Sequence, residues 1–82
     1  DILMKCISEL SLEKDLELIL KLTDRILMTD PVNDQALSYK LKALIKQNNY
    51  NLARFTFDRF CALYEEMYGE KFKLKFEELT AN

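Results

Sequence analysis

The stretch from Tyr50 to Tyr68 constrains the fold more than any other part of the chain. It reads YNLARFTFDRFCALYEEMY, and its apolar residues recur every three or four positions in two sets. The first set is Tyr50, Ala53, Phe57, Phe60, Tyr64 and Met67, and the second is Leu52, Phe55, Leu63 and Met67. The remaining polar seam is Asn51, Arg54, Asp58 and Glu65. A helix with two apolar faces needs two neighbours, so we predict that this helix of about five turns is sandwiched between others.

The composition points to a single, small, all-α domain. The 82 residues include one Gly and one Pro, whereas sheets and their turns normally use more of both. The chain begins at Asp1 without an initiator Met, which predicts a fragment of a longer protein.

Two helices are predicted ahead of the only proline. Residues 2–10 carry the apolar spacing of a short amphipathic helix. Ser11 is expected to cap the next helix, with Glu13 and Asp15 in its first turn, and that helix is expected to end near Met28.

Turn signals divide the remainder of the chain. Pro31 breaks the helical pattern, and Asn33 or Asp34 is expected to cap a helix over residues 33–47. Residues 48–49, both Asn, tolerate the left-handed conformation and predict a turn, and Gly69 predicts the end of the long helix.

The tail after Gly69 allows two interpretations. Phe72, Leu74 and Phe76 alternate with lysines as in a strand, but no other segment offers a strand partner. We therefore favour an extended segment followed by a short helix over residues 75–81, anchored by Phe76 and Leu79.

Charge and residue types exclude most chemistry. The net charge is −2 and the chain contains no His, so neither phosphate binding nor imidazole catalysis is expected. Cys6 and Cys61 lack metal-ligand spacing, and we favour two buried thiols in a reducing cytoplasm over a disulfide. No cofactor or metal is expected, and no apolar run is long enough for a membrane span. Lys71, Lys73 and Lys75 are interpreted as a solvent-facing rim rather than a phosphate contact.

The order of motifs resembles a known helical repeat. From residue 30 to residue 79 the chain shows DP, then QAL and LKAL in one helix, then LARFTFDRFCALYEEMYG and a final FEEL. This order resembles the tetratricopeptide repeat, and more closely the bacterial transcriptional activator domain. Ala53 and Phe57 occupy the small and the aromatic position of the repeat's second helix. The apolar positions of the first helix are Leu37, Leu41 and Leu44.

The resemblance implies an all-α array of antiparallel helical hairpins, about four helices plus a short C-terminal one. Residues 1–29 would end an earlier repeat, residues 30–69 would form one full repeat, and residues 70–82 would cap the array. The implied protein is a non-catalytic module of a bacterial transcriptional regulator, with DNA binding in a domain outside this chain. Its partner is expected to be a protein or peptide, self-association included.

The resemblance also implies where a partner binds. The inner face of such arrays is lined by the first helix of each repeat, and an acidic peptide is the expected ligand for its two cations. The residues expected on that face are Gln35, Ser38, Lys42, Ile45 and Lys46. An ordinary exposed helix face is the alternative for these residues. For the whole chain, the alternatives are a tetratricopeptide-like adaptor unrelated to transcription and a small enzyme or ligand-binding bundle.

Overall fold

The regular secondary structure of the described part of the chain is all α-helix, as the sequence predicts. The computed structural model describes residue 7, residues 9–11 and residues 14–81, and these residues contain four α-helices and no strand. The helices are α1 (Leu16–Thr29), α2 (Asp34–Lys46), α3 (Tyr50–Tyr68) and α4 (Phe76–Thr80). The helix predicted over residues 2–10 lies largely outside the described residues. Ile7, which is described, is helical and fully buried against Ile26 and Ala36.

Helix α1 begins later than predicted. Its N-cap position is taken by Asp15, so the prediction that the helix starts at Ser11 is wrong by about one turn. The Asp15 carboxylate accepts a hydrogen bond from the Ser11 backbone N–H at 3.0 Å, and this contact closes a turn ahead of the helix. The buried stripe of α1 is Ile19, Thr23 and Ile26, and the Thr23 hydroxyl donates to the Leu20 carbonyl.

The turn around Pro31 and the start of α2 follow the prediction. The Asn33 side chain accepts a hydrogen bond from the Ala36 backbone N–H at 2.9 Å and thereby caps α2. At the other end of α2, Asn48 adopts a positive φ of 60°, which lets the Asn49 N–H reach the Leu44 carbonyl. The predicted cap at Asn33 and the predicted turn at residues 48–49 are both confirmed.

Helix α3 ends at Gly69, whose φ of 71° confirms the predicted left-handed cap. The prediction that α3 is sandwiched is wrong for the part of the chain that the structure describes. Its first apolar set packs into the core through Ala53, Phe57 and Phe60, but Leu52 and Phe55 of the second set are exposed. The main packing of α1 is against α2 rather than α3.

The tail confirms the helical interpretation. Residues 70–75 form no regular element, and α4 follows with Phe76 and Leu79 buried. The Phe72 ring lies 5.0 Å from that of Phe60 and 5.1 Å from that of Tyr64, measured between centroids. Aromatic side chains thus fasten the tail to α3.

Helix α2 is the centre of the molecule because it packs against α1, α3 and α4. Its buried residues are Ala36, Leu37, Leu41, Ala43 and Leu44. Leu37, Leu41 and Leu44 share one core cluster with α3 and α4, whereas Ala36 belongs to a second cluster with Ile26 of α1. A single helix therefore joins both parts of the core.

Candidate interaction surfaces

The structure uses part of the predicted partner-binding face of α2 internally. The Ser38 hydroxyl donates to the Leu79 carbonyl of α4 at 2.8 Å, and Ile45 packs against the main core cluster. Helix α4 therefore lies over part of this face. Gln35 and Lys46 remain exposed and Lys42 is half-buried.

Lys42 and Lys46 of this face form no ion pair with the described acidic residues. Among the described residues, the ion pairs are Lys40 with Asp24 and Arg54 with Asp58, so neither involves Lys42 or Lys46. Both lysines lie in the second half of α2, one turn apart. An acidic segment laid across this half of α2 would meet both of them, and this role stays a prediction.

A second surface is a groove on the flank of α3 that the predicted sandwich would have covered. It has a volume of about 570 Å³ and is bounded by α1, α2 and α3. Leu27 and Pro31 form one edge, Leu37 and Phe60 are its buried residues, and exposed side chains of α3 form the other edge. The α3 residues that line it are Leu52, Phe55, Thr56, Arg59, Phe60, Ala62, Leu63 and Glu66.

The groove exists because α1 and α3 both pack on α2 and not closely on each other. The lining residues of α3 follow the spacing of three, four and seven that places side chains on one face of a helix. Phe55 is 56% exposed and Leu52 is 43% exposed. Exposed apolar side chains in a contiguous groove are typical of a binding surface.

The charges around the groove balance one another. The Lys40 ammonium lies 2.8 Å from the Asp24 carboxylate, and these residues pair α2 with α1 at the groove edge. The Arg59 guanidinium lies 5.8 Å from the centroid of the Phe55 ring, which is a cation–π distance. Glu66 lies about two turns beyond Arg59 on the same flank. The charged residues of the lining are thus Lys40, Arg59 and Glu66, and Lys40 is neutralised by Asp24 of α1.

On the opposite flank of α3, Arg54 has a structural role. Its guanidinium lies 5.1 Å from the centroid of the Phe76 ring and 5.9 Å from that of Phe57. Its side chain also lies 3.9 Å from the Asp58 carboxylate, but both side chains are largely exposed, so this ion pair contributes little to stability.

Cys61 is a half-buried free thiol on the same helix. Burial raises its pKa, the Asp58 carboxylate raises it further, and Arg54 lowers it. A thiol whose pKa is raised is a weaker nucleophile at neutral pH, so this environment does not favour nucleophilic chemistry. The prediction for Cys6 falls outside the described residues.

Within the described residues, no group of three or more His, Cys, Asp or Glu side chains is placed to hold a metal ion. Lys71, Lys73 and Lys75 are all exposed. None of the helices that the structure describes is long and apolar enough to cross a membrane.

Comparison of the chain with protein-family models, curated proteins and solved structures finds no match.

Sequence reasoning missed the groove, although a signal for it is present. Arg59 falls between Phe55 and Leu63 at intervals of four, in the middle of the second apolar set, and Glu66 follows. A charged residue at the centre of an apolar stripe indicates that the stripe faces solvent or a partner rather than a dry core.

Proposed function

We propose that this chain is a non-catalytic helical-repeat module of a bacterial transcriptional regulator. It acts in the cytoplasm by protein–protein interaction or self-association, and DNA binding belongs to a domain outside this chain. The observation that carries the interaction role is the exposed apolar groove lined by Leu52, Phe55 and Leu63. Exposing contiguous apolar surface of this kind to water is unfavourable in free energy, and a bound partner removes this surface from water.

The packing of the helices supports the repeat part of the proposal. Helix α1 packs on α2, α2 packs on α3, and α4 returns to α2. This order agrees with the end of one repeat, one full hairpin and the beginning of a following helix. The transcriptional part rests on the resemblance of the motifs between residues 30 and 79.

The α2 face supplies a first test of partner binding. The double variant Lys42→Glu with Lys46→Glu reverses both unpaired cations, and we expect it to abolish capture of an acidic partner by the immobilised chain. Lys71→Glu with Lys73→Glu is the matched control, because it reverses two exposed lysines that lie outside α2. Equal capture by the two double variants would contradict a binding role for this face.

A reporter assay tests the regulatory role. Two fusions of the chain to unrelated DNA-binding domains are made. The first DNA-binding domain occupies its operator only as a dimer, and the second activates transcription only when another protein is recruited. We expect the fusions to restore at least one of these activities. Failure of both would contradict the proposed function. In the natural full-length protein, a helix-turn-helix segment supports a regulator, and its absence supports an adaptor module.

A further inference from the structure

The occupant of the groove can be inferred from its charges. Lys40 is paired with Asp24, and Arg59 is balanced on the same flank of α3 by Glu66. A strongly acidic or basic peptide would therefore leave charges of its own without partners in the groove. The groove instead fits a partner that is apolar at its centre and carries one charge of each sign.

The exposed flank of α3 is itself such a partner. Leu63 lies between Arg59 and Glu66, and Met67, which is 54% exposed, follows one turn later. Phe55 lies at the other end of the flank. When two copies of α3 lie antiparallel, Arg59 of each copy comes opposite Glu66 of the other. A parallel arrangement would place like charges opposite one another, so the surface is complementary to itself only in the antiparallel one.

We propose that the groove binds a second copy of this chain, with the two α3 helices packed antiparallel about a twofold axis near Leu63. The inference rests on the proposed function, because self-association is one of its two modes. In this dimer Arg59 of each copy faces Glu66 of the other, and Leu63 of each copy packs against Leu63 of the other at the axis. Each α3 fills the groove between α1 and α3 of its neighbour.

The length of α3 suits this arrangement. A twofold axis near Leu63 lays roughly residues 58–68 of the two helices side by side, which is about three turns of each. Two such helices with their flanking α1 helices form a four-helix layer above the two α2 helices. The apolar side chains of Leu63 and Met67 are removed from water, which supplies the driving force, and the two ion pairs fix the direction.

Charge reversal with mixing tests the proposal on the full 82-residue chain. Sedimentation equilibrium from about 5 to about 500 µM is expected to show a monomer–dimer equilibrium. Arg59→Glu and Glu66→Arg are each expected to raise the dimer Kd about tenfold or more, because each places like charges opposite one another. An equimolar mixture of the two variants is expected to form a heterodimer, since it contains two ion pairs: the native pair of Arg59 with Glu66 and one pair with the signs exchanged.

Matched variants complete the experiment. Glu65→Arg makes the same charge change on the polar seam of α3 and is expected to leave the dimer Kd within about twofold of that of the unchanged chain. The double variant Arg59→Glu with Glu66→Arg is expected to dimerise like the unchanged chain. Circular dichroism follows helix content in each variant.

The proposal is overturned if the unchanged chain is monomeric at the highest concentration, or if the single reversals dimerise as well as the unchanged chain. It is also overturned if the mixed variants stay monomeric. A monomeric chain that still captures a partner through Lys42 and Lys46 would refute this dimer and leave the proposed function standing. A monomeric chain without partners would refute both.

Discussion

Phe57 is the residue on which the packing of the tail depends most. Its ring contacts that of Phe76 at 5.6 Å and that of Phe72 at 6.5 Å, and only 8% of the residue is exposed. Phe57→Ala is expected to lower the free energy of unfolding by about 3 to 5 kcal/mol, because it removes apolar contacts and leaves a cavity. Urea denaturation followed by circular dichroism measures the loss.

The same helix supplies the control for this prediction. Phe55→Ala removes an identical side chain from an exposed position. At low protein concentration, where no dimer contributes, we expect a loss below about 1 kcal/mol. Equal losses for the two variants would show that Phe57 is not the core residue described above.

At alkaline pH, ionisation of Cys61 makes both the reactivity of its thiol and the stability of the fold depend on pH. Burial, assisted by Asp58, raises its pKa in the folded chain. The folded state therefore keeps the thiol proton at pH values where the unfolded chain loses it. The contribution to stability is complete below the unfolded pKa and is lost as pH rises through the folded pKa.

Alkylation of Cys61 measures this shift. In a Cys6→Ser background, the rate with iodoacetamide is expected to reach half its maximum at a higher pH for the folded chain than for the chain in concentrated urea. Asp58→Asn is expected to lower the folded midpoint, because it removes one of the causes of the shift. A folded midpoint at or below the unfolded one would contradict the assignment.

At the scale of the helices, α4 is held by few contacts and should open first. It has five residues, too few to be stable alone, and its attachments are Phe76, Leu79 and the bond from Ser38 to the Leu79 carbonyl. Ser38→Ala removes this hydrogen bond and is expected to lower the free energy of opening of α4 by about 1 kcal/mol. In this variant, hydrogen exchange should accelerate at the amides of α4 while those of α2 and α3 keep their protection. Uniform acceleration would mean that α4 does not open separately.

Gly69 sets the end of α3 by conformation alone. A Cβ built on this residue would meet no atom within 4 Å, yet its φ is 71°. Gly69→Ala is therefore expected to lower the free energy of unfolding by about 1 to 2 kcal/mol through backbone strain. Gly69→Asn should recover part of the loss, since Asn tolerates this region better. Thermal unfolding of both variants tests the difference, and an Ala variant as stable as the unchanged chain would refute it.

The start and end of α2 and the end of α3 were predictable because their signals are local. Asn33, Asn48 and Gly69 each act through their own backbone or through a neighbour a few residues away, and all three were predicted correctly. The hydrogen bond between Ser38 and Leu79 joins residues 41 positions apart, and no periodicity in either segment predicts it. Ser38 was therefore assigned to a partner-binding face that α4 partly covers.

For the whole molecule, the sequence predicted the all-α class but not which helix lies at the centre. The apolar stripes of α3 suggested a helix enclosed on both sides, whereas α2 holds that place. Periodicity identifies an apolar stripe, but it does not distinguish a stripe buried in the chain's own core from one reserved for a partner. Arg59 and Glu66 carried the distinguishing information.

Self-association should appear in the thermal stability of the whole chain. Because dimer formation stabilises only the folded state, the Tm is expected to rise with protein concentration, by about 5 °C over a hundredfold range within which the dimer predominates. Differential scanning calorimetry measures the shift. Arg59→Glu should abolish most of this dependence. A Tm independent of concentration for the unchanged chain would contradict it.

The central position of α2 has a mechanical consequence. Since α1, α3 and α4 all rest on this one helix, a force that displaced α2 would break its contacts with all three at once. Both core clusters would be lost together, because α2 contributes buried residues to each of them.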